Sequence, residues 1–244
     1  MASHPSPLSE QVALITGAGR GIGRAIALRL AQAGAQTVLA ARTEQELQAT
    51  VRSIQDTGGE ALSVPTDLQQ DEQITTLVET TLARYKRIDI LVNNAGGGSP
   101  RTPIVKSRLT DWESVLRVNL FAAMSLTKQV LPAMIERRHG TVIMLGSTAS
   151  LSGRAGEAAY AASKFGLRGF TQALFEEVRR CGIKVSLLCP GSVDTALIPY
   201  NKRLNREKLL SPDDVAEAAY QIVTSSPRAC PAEVILQPQF EPFT

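Results

Sequence analysis

A tyrosine and a lysine four residues apart form the clearest pair for proton transfer in the sequence. Tyr160-Ala-Ala-Ser-Lys164 opens a stretch of helical periodicity that runs to about Arg180, and positions i and i+4 share one face of a helix. A phenol has an ordinary pKa of about 10, which makes it a poor base at neutral pH. A neighbouring ammonium favours the phenolate and lowers that pKa. The pair predicts a tyrosine acid/base tuned by a lysine, although such pairs also occur on ordinary helix faces.

A glycine-rich turn follows the first apolar run of the chain. It reads Thr16-Gly-Ala-Gly-Arg-Gly-Ile-Gly23 and leads into the helical stretch 24–33. Glycines between a strand and a helix permit a tight turn and let a pyrophosphate approach the amides at the helix N-terminus. The spacing T-G-x-x-x-G-x-G is a variant of the dinucleotide fingerprint, and a tight turn without a ligand is the plainer alternative. The residues predicted to bind a dinucleotide here are Gly17, Gly21, Ile22 and Gly23.

Two arginines bear on which dinucleotide binds. A carboxylate about 20 residues after the turn accepts hydrogen bonds from the ribose hydroxyls of NAD. Here the second apolar run ends at Ala41 without an acid, Arg42 follows at once, and Arg20 lies inside the glycine turn. Two guanidinium groups suit a 2′-phosphate that a carboxylate would repel. The sequence favours NADP(H) over NAD(H), while surface roles for both arginines, or a Glu44 that reaches the ribose, stay open.

Short apolar runs alternate with longer amphipathic stretches along the whole chain. This pattern predicts a Rossmann-type, doubly wound α/β fold with a seven-stranded, mostly parallel sheet and helices on both faces. The predicted strands are Val12–Thr16, Thr37–Ala41, Ala61–Pro65, Ile88–Asn93, Thr141–Ser147, Lys184–Cys189 and Glu233–Gln237. Pro132 predicts a kink in the helical stretch 112–137. We expect one domain over residues 10–244 after a flexible tail at 1–9, and a loose end at 238–244.

Composition and charge exclude several classes of function. The chain has 244 residues, 43% hydrophobic and 20% charged, which suits one soluble globular domain. A net charge of +3 without a long Lys/Arg run argues against nucleic acid as a partner. No apolar run approaches the ~18–20 residues of a bilayer crossing, and the first residues lack the features of a signal peptide. We therefore expect a cytoplasmic protein with no membrane partner.

Cysteine and histidine usage argues against disulfide and metal chemistry. The chain has three cysteines and no C-x-x-C pair, which argues against a disulfide framework and against a zinc site. They are Cys181, Cys189 and Cys230. His4 and His139 could not fill a metal shell unaided. Cys189 ends the sixth predicted strand, where a small buried residue is expected rather than a reactive thiol.

Taken in order, the motifs resemble the short-chain dehydrogenase/reductase family in its compact single-domain form. The resemblance covers nearly the whole chain. The motifs that carry it are the glycine turn, Asp67-Leu68 after the third strand, Asn93-Asn94-Ala95-Gly96 after the fourth, Asn119 in the next helix, Ser147, Tyr160, Lys164, and Pro190-Gly191-Ser-Val193-Asp-Thr195 after the sixth strand.

The resemblance implies roles that agree with the residue chemistry. Tyr160 is expected to be the acid/base, and Lys164 to lower its pKa and bind the nicotinamide ribose. Ser147 is expected to hold the substrate oxygen as one of the donors that stabilise developing charge. Asn119 is expected to hold a water that links Lys164 to a proton path, with an ordinary helix amide as the alternative.

The same resemblance implies further cofactor contacts at the ends of three strands. Those expected beside the adenine are Asp67 and Leu68, those beside the ribose are Asn94, Ala95 and Gly96, and those beside the nicotinamide or the phosphates are Pro190, Gly191, Val193 and Thr195.

Two regions leave the substrate open. Family members place a mobile substrate lid around residues 195–211, and here it holds a basic cluster that either is a solvated surface or attracts an acidic substrate. The residues of this cluster are Lys202, Arg203, Arg206 and Lys208, against the single acid Glu207. Acyl-carrier 3-oxoacyl reductases are similar throughout but usually finish with a glycine-rich strand end, which residues 228–239 lack. In this segment the chain is more similar to general carbonyl and alcohol reductases.

The resemblance therefore implies an NADP(H)-dependent oxidoreductase that interconverts a small-molecule carbonyl and a secondary alcohol. A 3-oxoacyl-[acyl-carrier-protein] reductase is the alternative among enzymes, and a catalytically idle NADP-binding scaffold or sensor is the alternative from another class. Helices over 112–137 and 157–180 resemble the pair through which family members dimerise, so a homodimer or homotetramer is expected.

Overall fold

A parallel sheet of seven strands organises the chain. The computed structural model describes residues 6–98, 101–198, 202 and 204–242. Within them the strands lie in the order β3-β2-β1-β4-β5-β6-β7, all neighbours parallel. The strands are β1 Val12–Thr16, β2 Gln36–Ala41, β3 Ala61–Pro65, β4 Ile90–Asn93, β5 Gly140–Leu145, β6 Ile183–Pro190 and β7 Glu233–Leu236. The predicted doubly wound fold is confirmed.

Helices cover both faces of the sheet. They are α1 Gly21–Gln32, α2 Glu44–Gln55, α3 Asp71–Tyr85, α4 Leu109–Leu116, α5 Ala122–Arg137, α6 Ala158–Val178 and α7 Pro212–Thr224. Side chains of β1 alternate between two buried clusters: Ile15 packs with α1, α2 and α7, whereas Leu14 packs with α3, α5 and α6. Because successive strand residues point to opposite faces, the apolar residues Val12 to Ile15 of β1 serve both layers.

The strand order places the predicted site residues at one edge of the sheet. The chain turns from β1 outward to β2 and β3, and then returns to the other side of β1 as β4. At this switch point the loops after β1 and β4 diverge to opposite faces and leave a crevice at the carboxyl ends of the strands, where α/β proteins bind ligands. The glycine turn follows β1, and Asn94 to Gly96 follow β4.

One local prediction differs from the structure just before α6. Ser147 is not in β5, which ends at Leu145; it caps a short 3₁₀ turn, Thr148–Ser150, and accepts a hydrogen bond from the Ala149 amide at 3.1 Å. The helical stretch 112–137 contains a π-helical turn, Arg117–Phe121, and Pro132 lies inside α5, where the predicted kink stays a prediction. A proline ring removes one backbone donor, but the inserted residue of a π turn shifts the register of the whole helix.

The beginning of the described chain is packed rather than loose. Leu8 is 1% exposed in the cluster under α1, and its amide donates to the Ala33 carbonyl at 2.9 Å. The predicted flexible tail is therefore wrong for residues 6–9, because an apolar side chain within that polar segment finds the core. At the other end Pro242 is buried, and its carbonyl accepts from the Asn205 amide at 2.9 Å.

One helical run is long and apolar enough to cross a bilayer by length and composition. It comprises 29 residues, Leu109–Arg137, so the expectation that no segment of this kind exists is wrong. One side of the run is buried against the sheet through Leu126, Val130 and Met134. The core helix of a globular domain has the same pattern.

Candidate active site

Two hydroxyl groups meet beside the first turn of α6. Tyr160 is the third residue of α6, and its phenol lies near enough to the Ser147 hydroxyl for that hydroxyl to lower the phenol's pKa against the effect of burial. The Ala149 amide already donates to Ser147 Oγ at 3.1 Å, so Ser147 has its own proton left to donate to the phenol oxygen. The 3₁₀ turn after β5 thus places a second hydroxyl donor beside the phenol that α6 carries. Two such donors at one point suit a carbonyl oxygen that gains negative charge.

Lys164 lies one helical turn beyond Tyr160, inside the protein. Its Nζ is 5.8 Å from the centre of the Tyr160 ring and donates to the Leu145 carbonyl at 2.6 Å. The residue is 5% exposed, and this burial lowers the pKa of the ammonium to about 8. An ammonium that loses its hydration is easier to deprotonate. The lysine reaches the edge of the site beside Gly96, where a Cβ on that glycine would lie 3.8 Å from Nζ.

The pKa of Tyr160 moves in the opposite direction from the sequence-based expectation. Burial raises it above the ordinary value, the nearby Glu157 and Cys189 add to the rise, and the Ser147 hydrogen bond opposes it. The expected lowering by Lys164 is wrong for this structure, because loss of hydration outweighs an ammonium that is directed at the Leu145 carbonyl. The phenol is therefore protonated at neutral pH and can act as a proton donor.

Asn119 fastens the loop after β4 to the helix that carries Tyr160. The residue lies in the π turn and is 2% exposed. Its Oδ1 accepts from the Gly97 amide at 2.9 Å, and its Nδ2 donates to the Gly97 carbonyl and to Ser163 Oγ, both at 3.0 Å. Ser163 Oγ in turn donates to the Tyr160 carbonyl at 2.7 Å. The side-chain amide is thus occupied by protein groups, and the predicted water on Asn119 stays a prediction.

The glycine turn has the shape of an anion cradle. Gly17 and Gly21 have φ of +66° and +55°, a region that residues with a Cβ rarely adopt. A Cβ on Gly23 would lie 2.3 Å from the Gly17 carbonyl oxygen, so only glycine permits the closure of the turn on α1. No side chain caps the N-terminus of α1, and its first turn contains no acid. Free amides at that terminus fit the pyrophosphate of a dinucleotide.

Asn94 and Thr16 hold this cradle to the end of β4. Asn94 Nδ2 donates to the Thr16 carbonyl at 2.8 Å, and Thr16 Oγ1 accepts from the amides of Asn94 and Ala95 at 3.0 and 2.9 Å. Asn94 therefore has a direct structural role at the predicted cofactor site. Sequence reasoning missed Thr16 and Ser163 as site residues, although each lies inside a motif that it used.

The two arginines predicted to select NADP(H) flank the same end of β1 and β2. Thr16 pairs with Ala40 across the two strands, and the Ala18 amide donates to the Ala40 carbonyl at 3.2 Å. Arg42 is exposed and has no ion pair within the described residues. Arg20 Nη1 lies 3.7 Å from Glu46 Oε1. The Arg42 guanidinium is thus free to bind an anion, while the Arg20 guanidinium is shared with the Glu46 carboxylate.

The remaining predicted contacts lie at the same edge. Asp67 and buried Leu68 follow β3, and Asp67 Oδ1 accepts from the Gln69 amide at 3.0 Å. Pro190 ends β6, and Gly191 donates its amide to the Leu236 carbonyl at 2.7 Å. The sheet thereby places the loops after β3 and β6 on either side of the crevice.

The segment after β6 crosses toward the glycine turn. Val193 is buried and bridges to Leu210, and the Thr195 side chain lies 3.5 Å from a Cβ built on Gly21. Arg206 pairs with Asp194, so its charge is compensated within the segment. Arg203 of the predicted basic cluster lies outside the described residues, as do 199–201.

Cys189 is buried beneath the site, as predicted, with no exposed surface. Burial raises the pKa of its thiol, which keeps the thiol neutral and unreactive. Among the described residues, no group of three His, Cys, Asp or Glu could hold a metal ion.

Comparison with known proteins gives three informative similarities. A family model described as short chain dehydrogenase matches residues 11–205. A 3-oxoacyl-[acyl-carrier-protein] reductase from Synechocystis sp. is 37% identical over 204 residues, which cover 83% of this chain and 81% of that protein. The crystal structure of a metagenomic short-chain oxidoreductase in complex with NADP superimposes with a TM-score of 0.86 and 37% identity, over 97% of this chain and 100% of the other.

A further relative comes from a polyketide synthase. It is a candidate ketoacyl reductase of the granaticin polyketide synthase from Streptomyces violaceoruber. Over 196 residues it is 40% identical, covering 79% of this chain and 71% of that protein.

Proposed function

Because the chain belongs to the short-chain dehydrogenase family, we propose that it is an NADP(H)-dependent oxidoreductase that interconverts a carbonyl and a secondary alcohol. The observation that carries the proposal is the neighbouring pair of Ser147 and Tyr160 hydroxyls, with buried Lys164 Nζ 5.8 Å from the centre of the Tyr160 ring. The pair lies at the same edge of the sheet as the glycine cradle. Acid/base groups and a dinucleotide site in one crevice are the two parts that hydride transfer needs.

The protein residues have distinct tasks in the proposed reduction. The substrate oxygen lies between the hydroxyls of Ser147 and Tyr160, and the phenol transfers its proton to this oxygen as the carbonyl carbon is reduced. The bound cofactor supplies the hydride. Ser147 stabilises the charge that develops on the oxygen, and Lys164 offsets the phenolate that remains. A raised pKa keeps Tyr160 protonated before the reaction, which is the state that a proton donor needs.

The choice of NADP(H) is supported by charge at the end of β2. Arg20 follows β1 and Arg42 follows β2, at the ends of two neighbouring strands, and no acid stands at Ala41. Guanidinium groups bind phosphate in two-pronged hydrogen bonds, which favours the phosphorylated cofactor. The solved relative that contains NADP agrees with this assignment.

A β-ketoacyl thioester is the second candidate substrate. The names of two relatives, from Synechocystis and Streptomyces, describe 3-oxoacyl or ketoacyl reductases. Residues 228–239 argue against a ketoacyl substrate, because they lack the glycine-rich strand end of the acyl-carrier enzymes. We therefore rank simple carbonyl compounds first and keep ketoacyl thioesters within the test.

A substrate panel tests the proposal directly. Loss of NADPH absorbance is measured with ketones, aldehydes and 3-oxoacyl thioesters, for the wild type and for Tyr160→Phe. The proposal expects turnover with at least one carbonyl class and loss of that turnover in the variant, which still binds NADPH. Binding of NADPH without its oxidation across the panel would favour the idle scaffold.

We also propose that the chain forms a homodimer or homotetramer. Phe121 is 49% exposed and Phe165 is 44% exposed on the outer side of the long helices, and large apolar side chains on one surface favour association. Sedimentation at micromolar concentration should give a multiple of the 26.2 kDa chain mass; a monomer would contradict this expectation. The cytoplasmic location stays a prediction.

A further inference from the structure

A carboxylate on α2 lies directly against the glycine turn. Thr50 Oγ1 lies 3.2 and 3.3 Å from the Ala18 and Gly19 carbonyl oxygens and 3.1 Å from the Glu46 carbonyl oxygen, so its one proton is shared among acceptors of the turn and of α2, which are packed together here. A Cβ on Gly19 would lie 2.9 Å from Glu46 Cβ and 3.0 Å from Glu46 Oε2. Only a glycine at position 19 therefore leaves room for this glutamate. The packing fixes Glu46 beside the turn rather than leaving it free on the helix surface.

The same carboxylate shares Arg20 with the proposed phosphate site. Glu46 Oε1 is 3.7 Å from Arg20 Nη1, and the side chains of Arg20 and Glu46 are 68% and 37% exposed. Arg20 is one of the two cations that would meet the 2′-phosphate, and Arg42 is the other. A phosphate that approaches Arg20 meets a carboxylate of the same sign, and the guanidinium must leave Glu46 to bind the phosphate fully. NAD(H) has only hydroxyls at this position and does not compete for the arginine.

From these contacts we infer that Glu46 is a specificity-determining residue that weakens NADP(H) binding relative to NAD(H) by holding Arg20. The inference rests on the proposed NADP(H) function. It makes a prediction of its own, because it concerns the difference between the two cofactors when one carboxylate is removed.

The expected size of the effect follows from the exposure of the pair. A partly exposed ion pair contributes modestly, and repulsion between Glu46 and a doubly charged phosphate adds to it at short range. We expect Glu46→Gln to tighten NADP⁺ binding about three- to ten-fold and to change NAD⁺ binding by less than about two-fold. The gain should shrink in high salt, since exposed charges are screened.

The experiment is calorimetric titration of the full chain with NADP⁺ and with NAD⁺, which needs no turnover. The variants are Glu46→Gln, Arg20→Ala and the double variant. Asp56→Asn serves as the matched control, because it removes one exposed carboxylate from the other end of α2. Circular dichroism confirms that each variant is folded.

The proposal expects the gain for NADP⁺ with Glu46→Gln alone, none with Asp56→Asn, and less than a two-fold gain when Arg20 is already alanine. Three results would overturn it: an unchanged affinity for NADP⁺, an equal gain for both cofactors, or a full gain without Arg20. Weaker NAD⁺ binding in Glu46→Gln would also overturn it, because Glu46 would then be holding the ribose hydroxyls. If the wild type prefers NAD⁺, the proposed cofactor is wrong, whatever Glu46→Gln does.

Discussion

Replacing Asn119 by leucine should destabilise the protein through three identified hydrogen bonds. The substitution keeps the size of the side chain but removes its bonds to the Gly97 amide, the Gly97 carbonyl and Ser163 Oγ. Ser163 is fully buried and Gly97 is half-buried. Water can therefore replace part of what Gly97 loses, but it cannot reach the serine.

The cost can be worked from these three contacts. A hydrogen bond contributes about 1 kcal/mol net, and a buried group left without a partner costs about 1–3 kcal/mol. Two partly replaceable bonds at Gly97 and one irreplaceable bond at Ser163 give a loss of about 3 kcal/mol. For a chain of this length this corresponds to a fall in Tm of roughly 6–12 °C.

Urea unfolding of the cofactor-free protein measures the loss, and Ser163→Ala provides the comparison. The serine variant removes two bonds of the network, the one that Ser163 Oγ accepts from Asn119 and the one that it donates to the Tyr160 carbonyl, and should lose about 2 kcal/mol. Asn119→Leu should also lower kcat/KM, since the loop at Gly96 and Gly97 borders the predicted cofactor ribose. An Asn119→Leu protein within about 0.5 kcal/mol of the wild type would refute the reasoning that this amide fastens the loop to α6.

Two further predictions concern backbone space and buried charge. Gly23→Ala should abolish measurable NADP⁺ binding, because its Cβ would lie 2.3 Å from the Gly17 carbonyl oxygen. Gly169→Ala is the matched control in α6: its Cβ meets nothing within 4 Å, and the variant should stabilise the folded protein by about 0.5–1 kcal/mol in the same unfolding assay. If Gly23→Ala binds NADP⁺ like the wild type, the cradle is misassigned. Burial lowers the pKa of Lys164 from 10.5 to about 8. Between about pH 8 and 10.5 the unfolded chain therefore holds a proton that the folded protein has lost. The contribution of Lys164 to the free energy of unfolding should rise with pH across this range. Measured as the difference from Lys164→Met, the rise should reach about 3 kcal/mol, since the raised pKa values of Cys189 and Tyr160 lower stability with pH in both proteins; parallel unfolding profiles of the two proteins from about pH 7 to 10.5 would contradict it.

The fold was predictable because its signals are local. Continuous apolar runs predicted every strand of the described sheet to within about two residues, since strands covered on both faces have no polar side. The glycine turn was predictable for a similar reason, because a close approach such as that of Gly23 to Gly17 tolerates no side chain. The proximity of Tyr160 and Lys164 was predictable because residues at i and i+4 share one face of any helix.

The features that the sequence did not predict depend on contacts between segments that are distant in the chain. The direction of the Tyr160 pKa shift is set by how deeply the phenol is buried, and no spacing along the chain carries that information. Asn119 lies in the π turn and bonds to Gly97 and Ser163, which are 22 and 44 residues away in the sequence. Glu46 gains a role from the packing of α2 on Gly19. Leu8 illustrates the same limit at the chain end, because one apolar residue among polar neighbours gives no sign of where it packs.

The most direct test of the central claim is the rate of NADPH consumption by Tyr160→Phe with the best carbonyl substrate, measured beside its affinity for NADPH. Removal of a general acid costs about 10²–10⁴-fold, and the phenylalanine ring keeps the packing of α6. The account predicts a fall in kcat of at least this size with NADPH affinity within about two-fold of the wild type. A variant that keeps most of its turnover would contradict the assignment of Tyr160 as the proton donor.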